Sequence, residues 1–224
     1  MDRMRIKAVL FDLDGTLIDT ESYYRRIWPE AVAHFGYTLT DEMYLSLRSL
    51  GRPYARERFA QWYGPDFDYD EVRAYRMGLF NELVAGRGIP LKPGAREILL
   101  LLKDMGILRA TATATDEERT RDYLTRVGLI DLFDRICCAT QVEHGKPAPD
   151  LYLYACESLG LAPDECLAVE DAPNGIRSAA AAGVPVVFIP DQTESEPEAE
   201  EMACAKLSSL NELAGWIRSQ SWSR

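Results

Sequence analysis

The chain has 224 residues, 47% of them hydrophobic, which suits one medium domain or a core with a smaller appendage. Its 25 Lys and Arg stand against 36 Asp and Glu, a net charge of −11 with no basic block, which argues against a nucleic-acid partner. Five cysteines without CxxC spacing read as buried reduced thiols, and the apolar run before Asp12 is too short for a signal segment or membrane span, so a cytoplasmic protein that contacts no membrane is expected.

The first element, at 6–11, reads as a buried strand that ends in Asp12 and Asp14 and then a Gly15-Thr16 turn. About ninety residues separate it from the next strand, where a crossover helix of about a dozen would do. Within that interval Tyr23, Tyr24, Ile27, Trp28, Ala31, Val32 and Phe35 repeat at helical spacing, as do Val72, Leu79, Phe80, Leu83 and Val84. An inserted all-helical cap domain at 18–88 follows, with Gly51-Arg52-Pro53 and Gly64-Pro65 as interhelical turns, leaving 1–17 and 89–224 as the core. Further strands are expected at 107–112, 135–138, 166–169 and 184–189. Thr115 and Glu118 suggest a capping box for a helix running to Gly128, Pro147, Pro149 and Asp150 open a helix that stops at Gly160, and a helix at 172–182 ends at Gly183. Residues 191–201 read as a solvated loop and 207–217 as a last amphipathic helix. Strands alternating with helices predict an α/β fold, a Rossmann-like doubly wound parallel sheet carrying the cap.

Side chains two apart on a strand lean the same way, so Asp12 and Asp14 share a pocket in which their charges repel unless something positive lies between them. That arrangement suits a divalent metal and acid/base work beside a nucleophile, although Asp-Gly is also ordinary turn chemistry. Thr113 ends the second strand, Lys146 lies in the loop His144-Gly145-Lys146-Pro147, and Glu170-Asp171 ends the fourth. In an open parallel sheet these ends share one edge, where ligands bind. Each also has an ordinary reading: Thr113 belongs to a Thr-Ala-Thr-Ala-Thr alternation, Lys146 could be a surface lysine, and Glu170-Asp171 could be an N-cap pair. His34 and His144 show no metal pattern.

Taken together, Asp12-Leu13-Asp14-Gly15-Thr16, Thr113, Lys146 and Glu170-Asp171 resemble the four motifs of the haloacid dehalogenase-like hydrolase superfamily. Gly-Lys-Pro-Ala-Pro-Asp at 145–150 and Val-Glu-Asp-Ala-Pro-Asn-Gly-Ile at 169–176 are similar to the subgroup of β-phosphoglucomutases and small phosphosugar phosphatases, which carries a helical cap after the first motif. The resemblance implies that Asp12 attacks phosphorus to form an aspartyl phosphate and that Asp14 protonates the leaving group and later deprotonates water. It implies Mg²⁺ on the Asp12 carboxylate, the Asp14 carbonyl and Asp171 with Glu170 nearby, Lys146 neutralising the phosphate, and Thr113 bonding a phosphoryl oxygen. Gly15, Thr16 and Ala114 would belong to the phosphoryl site, Thr16 fixing the loop, while Arg52, with Arg48 or Tyr24, would face the leaving group from the cap.

Dehalogenases lack an acid at the position of Asp14, so phosphoryl transfer is implied. The mutases carry a histidine where Tyr24 stands, and Arg52 matches their phosphate-gripping cap arginine although Ser49 replaces a usual glycine. The implied activity is that of a Mg²⁺-dependent phosphatase acting on a small phosphorylated metabolite such as a sugar phosphate, with a phosphosugar mutase as the alternative. A receiver-type signalling domain also sets acids, a Thr and a Lys around a phosphorylated Asp. Receivers, however, need no large helical insertion and lack the Glu170-Asp171 pair. A monomer is expected.

Overall fold

Strand β1 (Ala8–Phe11) is fully buried, and its alternate side chains pack on opposite faces. Val9 and Phe11 belong to the apolar cluster that contains Ile98, Leu99 and Leu102 of helix α5 (Ala95–Asp104) and Leu213 and Ile217 of helix α10 (Leu210–Ser219). Ala8 and Leu10 instead join Leu151, Tyr152 and Ala155 of helix α7 (Asp150–Leu159) and Ile176 and Ala179 of helix α8 (Pro173–Ala181). Burial on both faces is why the strand reads as an unbroken apolar run, and it gives the sheet a helical layer on each side. The structure, a computed structural model, describes residues 6–47, 50, 52–192 and 196–219, with the backbone alone at 52 and 53.

The sheet has five parallel strands in the order β2-β1-β3-β4-β5, with β2 Leu108–Thr111, β3 Cys166–Glu170, β4 Val186–Phe188 and β5 Ala205–Lys206. Phe11 stands level with Thr111 on one side and Val169 on the other. The register therefore brings the chain just after β1, just after β2 and at the end of β3 to one edge. Helix α6 (Glu117–Arg126) follows β2, and a single turn, α9 (Pro197–Glu200), precedes β5.

The insertion after β1 contains α1 (Glu21–His34), α2 (Asp41–Ser46), α3 (Arg52–Tyr63) and α4 (Tyr69–Arg87). Stacked rings fill it, with Trp28 against Phe59 at 5.1 Å and Tyr24 against Phe80 at 4.7 Å. The chain enters and leaves it side by side: Asp19 N donates to Pro90 O (2.9 Å), and Lys92 N donates to Leu17 O (3.0 Å).

Several sequence expectations need correction. Residues 135–138 make only isolated bridges, Ala110 to Arg135 and Thr113 to Cys138: Thr111 N and Thr113 N donate to Arg135 O and Cys137 O (both 3.2 Å), but Cys137 N donates to the Thr111 hydroxyl (2.9 Å) in place of a ladder bond. The two-residue β5 has too little pattern to read, and the loop at 191–201 includes α9. Arg52 and Pro53 open α3 rather than form a turn, with Pro53 in the first helical turn where a missing N–H is harmless; Gly51 lies outside the described residues. Asp116, not Thr115, caps α6 by accepting from Arg119 N (3.1 Å). Cys137, Cys138, Cys156 and Cys166 are buried free thiols, but Cys204 is exposed. No described helix is long and apolar enough to cross a membrane.

Candidate active site

The end of β1 turns back sharply on itself. Asp12 N still donates to Val169 O (3.0 Å) as a continuation of the sheet, and the chain then reverses, with Leu17 N on Leu13 O (2.9 Å) and Gly15 N on Ile18 O (2.8 Å). Gly15 has φ +88°, a left-handed conformation that glycine adopts without strain. Its amide is spent in closing the turn. Thr16 is buried and donates to Asp171 Oδ1 (3.3 Å), which ties the turn to the end of β3.

Asp12 is 2% exposed, and Lys146, Glu170 and Asp171 are fully buried. Lys146 Nζ donates to Asp12 Oδ1 (2.6 Å) and Glu170 Oε1 (2.5 Å), and the Tyr152 hydroxyl also donates to Glu170 Oε1 (2.5 Å). Burial raises the Asp12 pKa well above the ordinary carboxylate value, with Lys146 opposing the rise and Glu170 and Asp171 reinforcing it. Burial works against the charge on Lys146, but Asp12 and Glu170 outweigh it and raise the lysine's pKa. Lys146 comes from a long loop rather than a regular element, and α7, which begins four residues later, brings Tyr152 against it.

One oxygen of each carboxylate facing Lys146 is left over: Asp12 Oδ2 and Glu170 Oε2 are buried without a hydrogen-bond partner. Asp12, Glu170 and Asp171 each offer an oxygen within 4.8 Å of the others. An all-oxygen, anionic donor set with orphaned acceptors fits a hard divalent cation. These residues could hold Mg²⁺.

Asp14 is held differently. Its Oδ1 accepts from the Thr20 hydroxyl and its Oδ2 from the Thr115 hydroxyl (2.8 Å). Thr113 is buried at the end of β2, and its Oγ1 accepts from Thr115 N (3.1 Å). Between this edge and the insertion lies a cavity of about 140 Å³. Asp12, Asp14, Thr113, Ala114 and Thr115 form its core wall, with Arg119 of α6; Glu21, Tyr24, Trp28, Tyr44, Phe59, Tyr69, Arg73 and Arg76 come from the insertion.

Of the residues singled out in sequence, Asp12, Asp14, Thr113, Ala114 and Tyr24 face this cavity, while Gly15, Thr16, Lys146, Glu170 and Asp171 are not on its wall. Lys146 nevertheless reaches Asp12 directly, and Thr16 reaches Asp171. The Arg52 side chain and all of Arg48 lie outside the described residues. Sequence reasoning missed Thr20, Thr115 and Arg76. Thr115 sits two beyond Thr113 in the same alternation, a period that places both on one side of an extended chain. Arg76 falls on the buried stripe Tyr69, Val72, Arg76, Phe80, Val84 of α4. A charged residue at a core position of a helical stripe was the available signal.

A family model described as haloacid dehalogenase-like hydrolase matches residues 6–183. Hexitol phosphatase B of Escherichia coli (strain K12) is 32% identical, over 93% of this chain and 95% of its own length. Fructose-1-phosphate phosphatase YqaB of the same organism is 28% identical, over 83% of this chain and 97% of its own. The crystal structure of CbbY from Rhodobacter sphaeroides in complex with phosphate superposes with a TM-score of 0.76 at 30% identity, covering 93% of this chain and 96% of that one.

Proposed function

The chain belongs to the haloacid dehalogenase-like hydrolases, and we propose that it is a Mg²⁺-dependent phosphatase that hydrolyses a small phosphomonoester of the sugar-phosphate class through an aspartyl phosphate on Asp12. The observation that carries this reading is the state of Asp12, which lines the cavity with one oxygen fixed by Lys146 and the other buried without a partner. A carboxylate with one pinned and one free oxygen is oriented for attack.

In the first step an Asp12 carboxylate oxygen forms a bond to phosphorus while the ester P–O bond breaks, and Asp14 gives its proton to the departing oxygen. In the second, water bonds to phosphorus, the Asp12–phosphorus link breaks, and Asp14 takes the water's proton, restoring both carboxyl groups. Lys146 opposes the charge that accumulates at Asp12 in a nearly dry setting, where such an interaction acts at low dielectric. The Thr113 hydroxyl bonds a phosphoryl oxygen. Asp12, Asp171 and Glu170 with the Asp14 carbonyl would hold Mg²⁺, which supplies neutralisation of the phosphoryl oxygens when bound.

Thr20 and Thr115 steady Asp14 until the leaving oxygen reaches it, because a threonine hydroxyl can rotate from donor to acceptor as the proton moves. Water is the acceptor in this reading. Tyr24, which stands where the mutases carry a histidine, is stacked on Phe80, with its hydroxyl 3.4 Å from that of Tyr123. The insertion acts as a cap domain spanning 18–88 on a core of 1–17 and 89–224, and its paired crossings at Asp19–Pro90 and Leu17–Lys92 support those limits. Names of the relatives, hexitol phosphatase among them, support the substrate class.

The test is Asp12→Asn, assayed for phosphate release from p-nitrophenyl phosphate and a panel of sugar phosphates with Mg²⁺. Loss of about 10³-fold or more in kcat is expected, as for removal of other covalent nucleophiles. Near-wild-type turnover would remove Asp12 from the mechanism.

A further inference from the structure

Arg76 is the least satisfied charge in the cavity. It is 7% exposed, on α4 of the insertion, and lines the same cavity as Asp12 and Asp14 of the core. Its Nε is buried with no partner, and its Nη2 donates only to the Met77 thioether (2.9 Å), a weak acceptor. The guanidinium carbon lies 4.6 Å from the Tyr24 ring centroid and 4.5 Å from that of Trp28. Two aromatic faces thus fix the plane of the group and offset part of its desolvation, yet among the described residues no carboxylate pairs with it.

The other buried or wall arginines behave differently. Arg119 also donates to the Met77 sulfur (2.9 Å), but it meets Asp116 Oδ2 through Nε (2.9 Å) and Nη2 (2.6 Å); Arg109 too leaves its Nε unpartnered, but it is paired with Asp134 (2.7 Å). A guanidinium stays charged at any working pH, and burying it without a counter-charge is unfavourable unless an anion arrives to meet it. Its fork of N–H groups suits a phosphate or carboxylate, which can take two bonds at once.

We propose that Arg76 anchors a second anionic group of the substrate, carried by the leaving group at the end remote from the phosphoryl group that is transferred. The proposal rests on the phosphatase reading, since that reading places the transferred phosphoryl group at Asp12, where Lys146 already meets its charge. Tyr24, Trp28, Phe59 and Tyr69 line the cavity with Arg76 and make its wall on the insertion largely apolar, which suits the carbon skeleton. The substrate class is therefore a phosphomonoester with a second phosphate or a carboxylate. A neutral polyol phosphate leaves the guanidinium uncompensated.

Two matched pairs separate the sources of the anion: 6-phosphogluconate against sorbitol 6-phosphate, and fructose 1,6-bisphosphate against fructose 6-phosphate. Phosphate release is followed for the wild type, Arg76→Met and Arg76→Lys with Mg²⁺. The wild type is expected to favour the doubly anionic member of at least one pair by about 10- to 100-fold in kcat/KM, the range for a charge-assisted hydrogen bond. The pair that shows it identifies carboxylate or phosphate. Arg76→Met should bring that ratio close to one, and Arg76→Lys should leave an intermediate ratio, an order that lost packing alone does not produce. If Arg76→Met does not fold, Arg76→Lys against wild type carries the comparison, and an unchanged ratio overturns the anchor. No preference in either pair from an enzyme with Asp12-dependent activity on p-nitrophenyl phosphate overturns the anchor and leaves the phosphatase reading intact. No Asp12-dependent phosphate release from any of these compounds overturns the phosphatase reading itself.

Discussion

Gly175, the third residue of α8, lies directly against the buried carboxylate of Glu170. An alanine there places its Cβ 2.0 Å from Glu170 Cδ and Oε2 and 2.2 Å from Oε1. Relieving the overlap to about 3.5 Å needs a retreat of roughly 1.5 Å. An exposed glutamate would swing aside, but Glu170 is fully buried and its Oε1 receives both Lys146 and Tyr152 at 2.5 Å. A shift of that size breaks at least one of these bonds, each worth about 1.5–3 kcal/mol when one partner is charged, and strains the rest of the pocket by about 1–3 kcal/mol. Alanine's better helix propensity returns about 1 kcal/mol. The net expectation for Gly175→Ala is a loss of about 3 kcal/mol, or roughly 6–12 °C in Tm for a chain of this length. Thermal unfolding followed by circular dichroism measures it, with Gly78→Ala as control: Gly78 lies within α4, has nothing within 4 Å of an added Cβ, and should gain up to about 1 kcal/mol. A Gly175→Ala protein that melts with the wild type would refute the claim that Glu170 is locked in place.

Three other outcomes follow from the site and the thiols. Thr115→Val removes one of the two hydroxyls on Asp14 and should lower kcat by about 10- to 100-fold, within the range for disturbed acid/base groups, while the Tm moves little; a change confined to KM would mean that Thr115 serves binding alone. Chelation with EDTA should abolish phosphate release, and Mg²⁺ at about 100 times its Kd should stabilise the substrate-free protein by about 2.7 kcal/mol; calorimetry showing no Mg²⁺-dependent shift in Tm would remove the acidic cluster as the metal site. Ellman's reagent should label Cys204 in the native protein and all five thiols after unfolding, since only Cys204 is exposed; rapid native labelling of a second thiol would show that one of the buried cysteines is reachable.

Much of the core was legible because strand and helix punctuation follow strict local rules. The apolar run into Asp12 marks a strand buried on both faces, and Gly160 and Gly183, at φ +70° and +75°, end α7 and α8 where glycine alone is free of strain. Asp12, Thr113 and the Glu170-Asp171 pair could be placed together from sequence because the ends of parallel strands gather at one edge, and Lys146 reaches Asp12 there. What stayed hidden depended on contacts between distant segments. Thr115 looks like a helix cap from its neighbours, and only the approach of β1 to β2 turns its hydroxyl toward Asp14, 101 residues away. Residues 135–138 have the composition of a strand, but the Thr111 hydroxyl takes the Cys137 N–H that a ladder would use. Arg76 could be read as a charge on a buried stripe, but its two aromatic neighbours lie on α1, and no spacing within α4 reveals them.

Asp14 is the site carboxylate whose hydrogen bonds come from both parts of the molecule. Thr115 belongs to the core, beyond β2, whereas Thr20 directly precedes α1 and stands where the chain enters the insertion. The two crossings are paired, Asp19 with Pro90 and Leu17 with Lys92, which ties the entry and exit of the insertion together at the edge of the core. A turn of the insertion about these crossings would carry Thr20 with α1 and Arg76 with α4 and leave Thr115, Lys146 and Asp12 with the sheet. The grip on the leaving group and one of the two bonds to Asp14 would then change together. Under the proposed roles, seating a substrate against Arg76 would thereby be coupled to the freedom of the Asp14 carboxyl, whereas the bond from Lys146 to Asp12 lies wholly within the core.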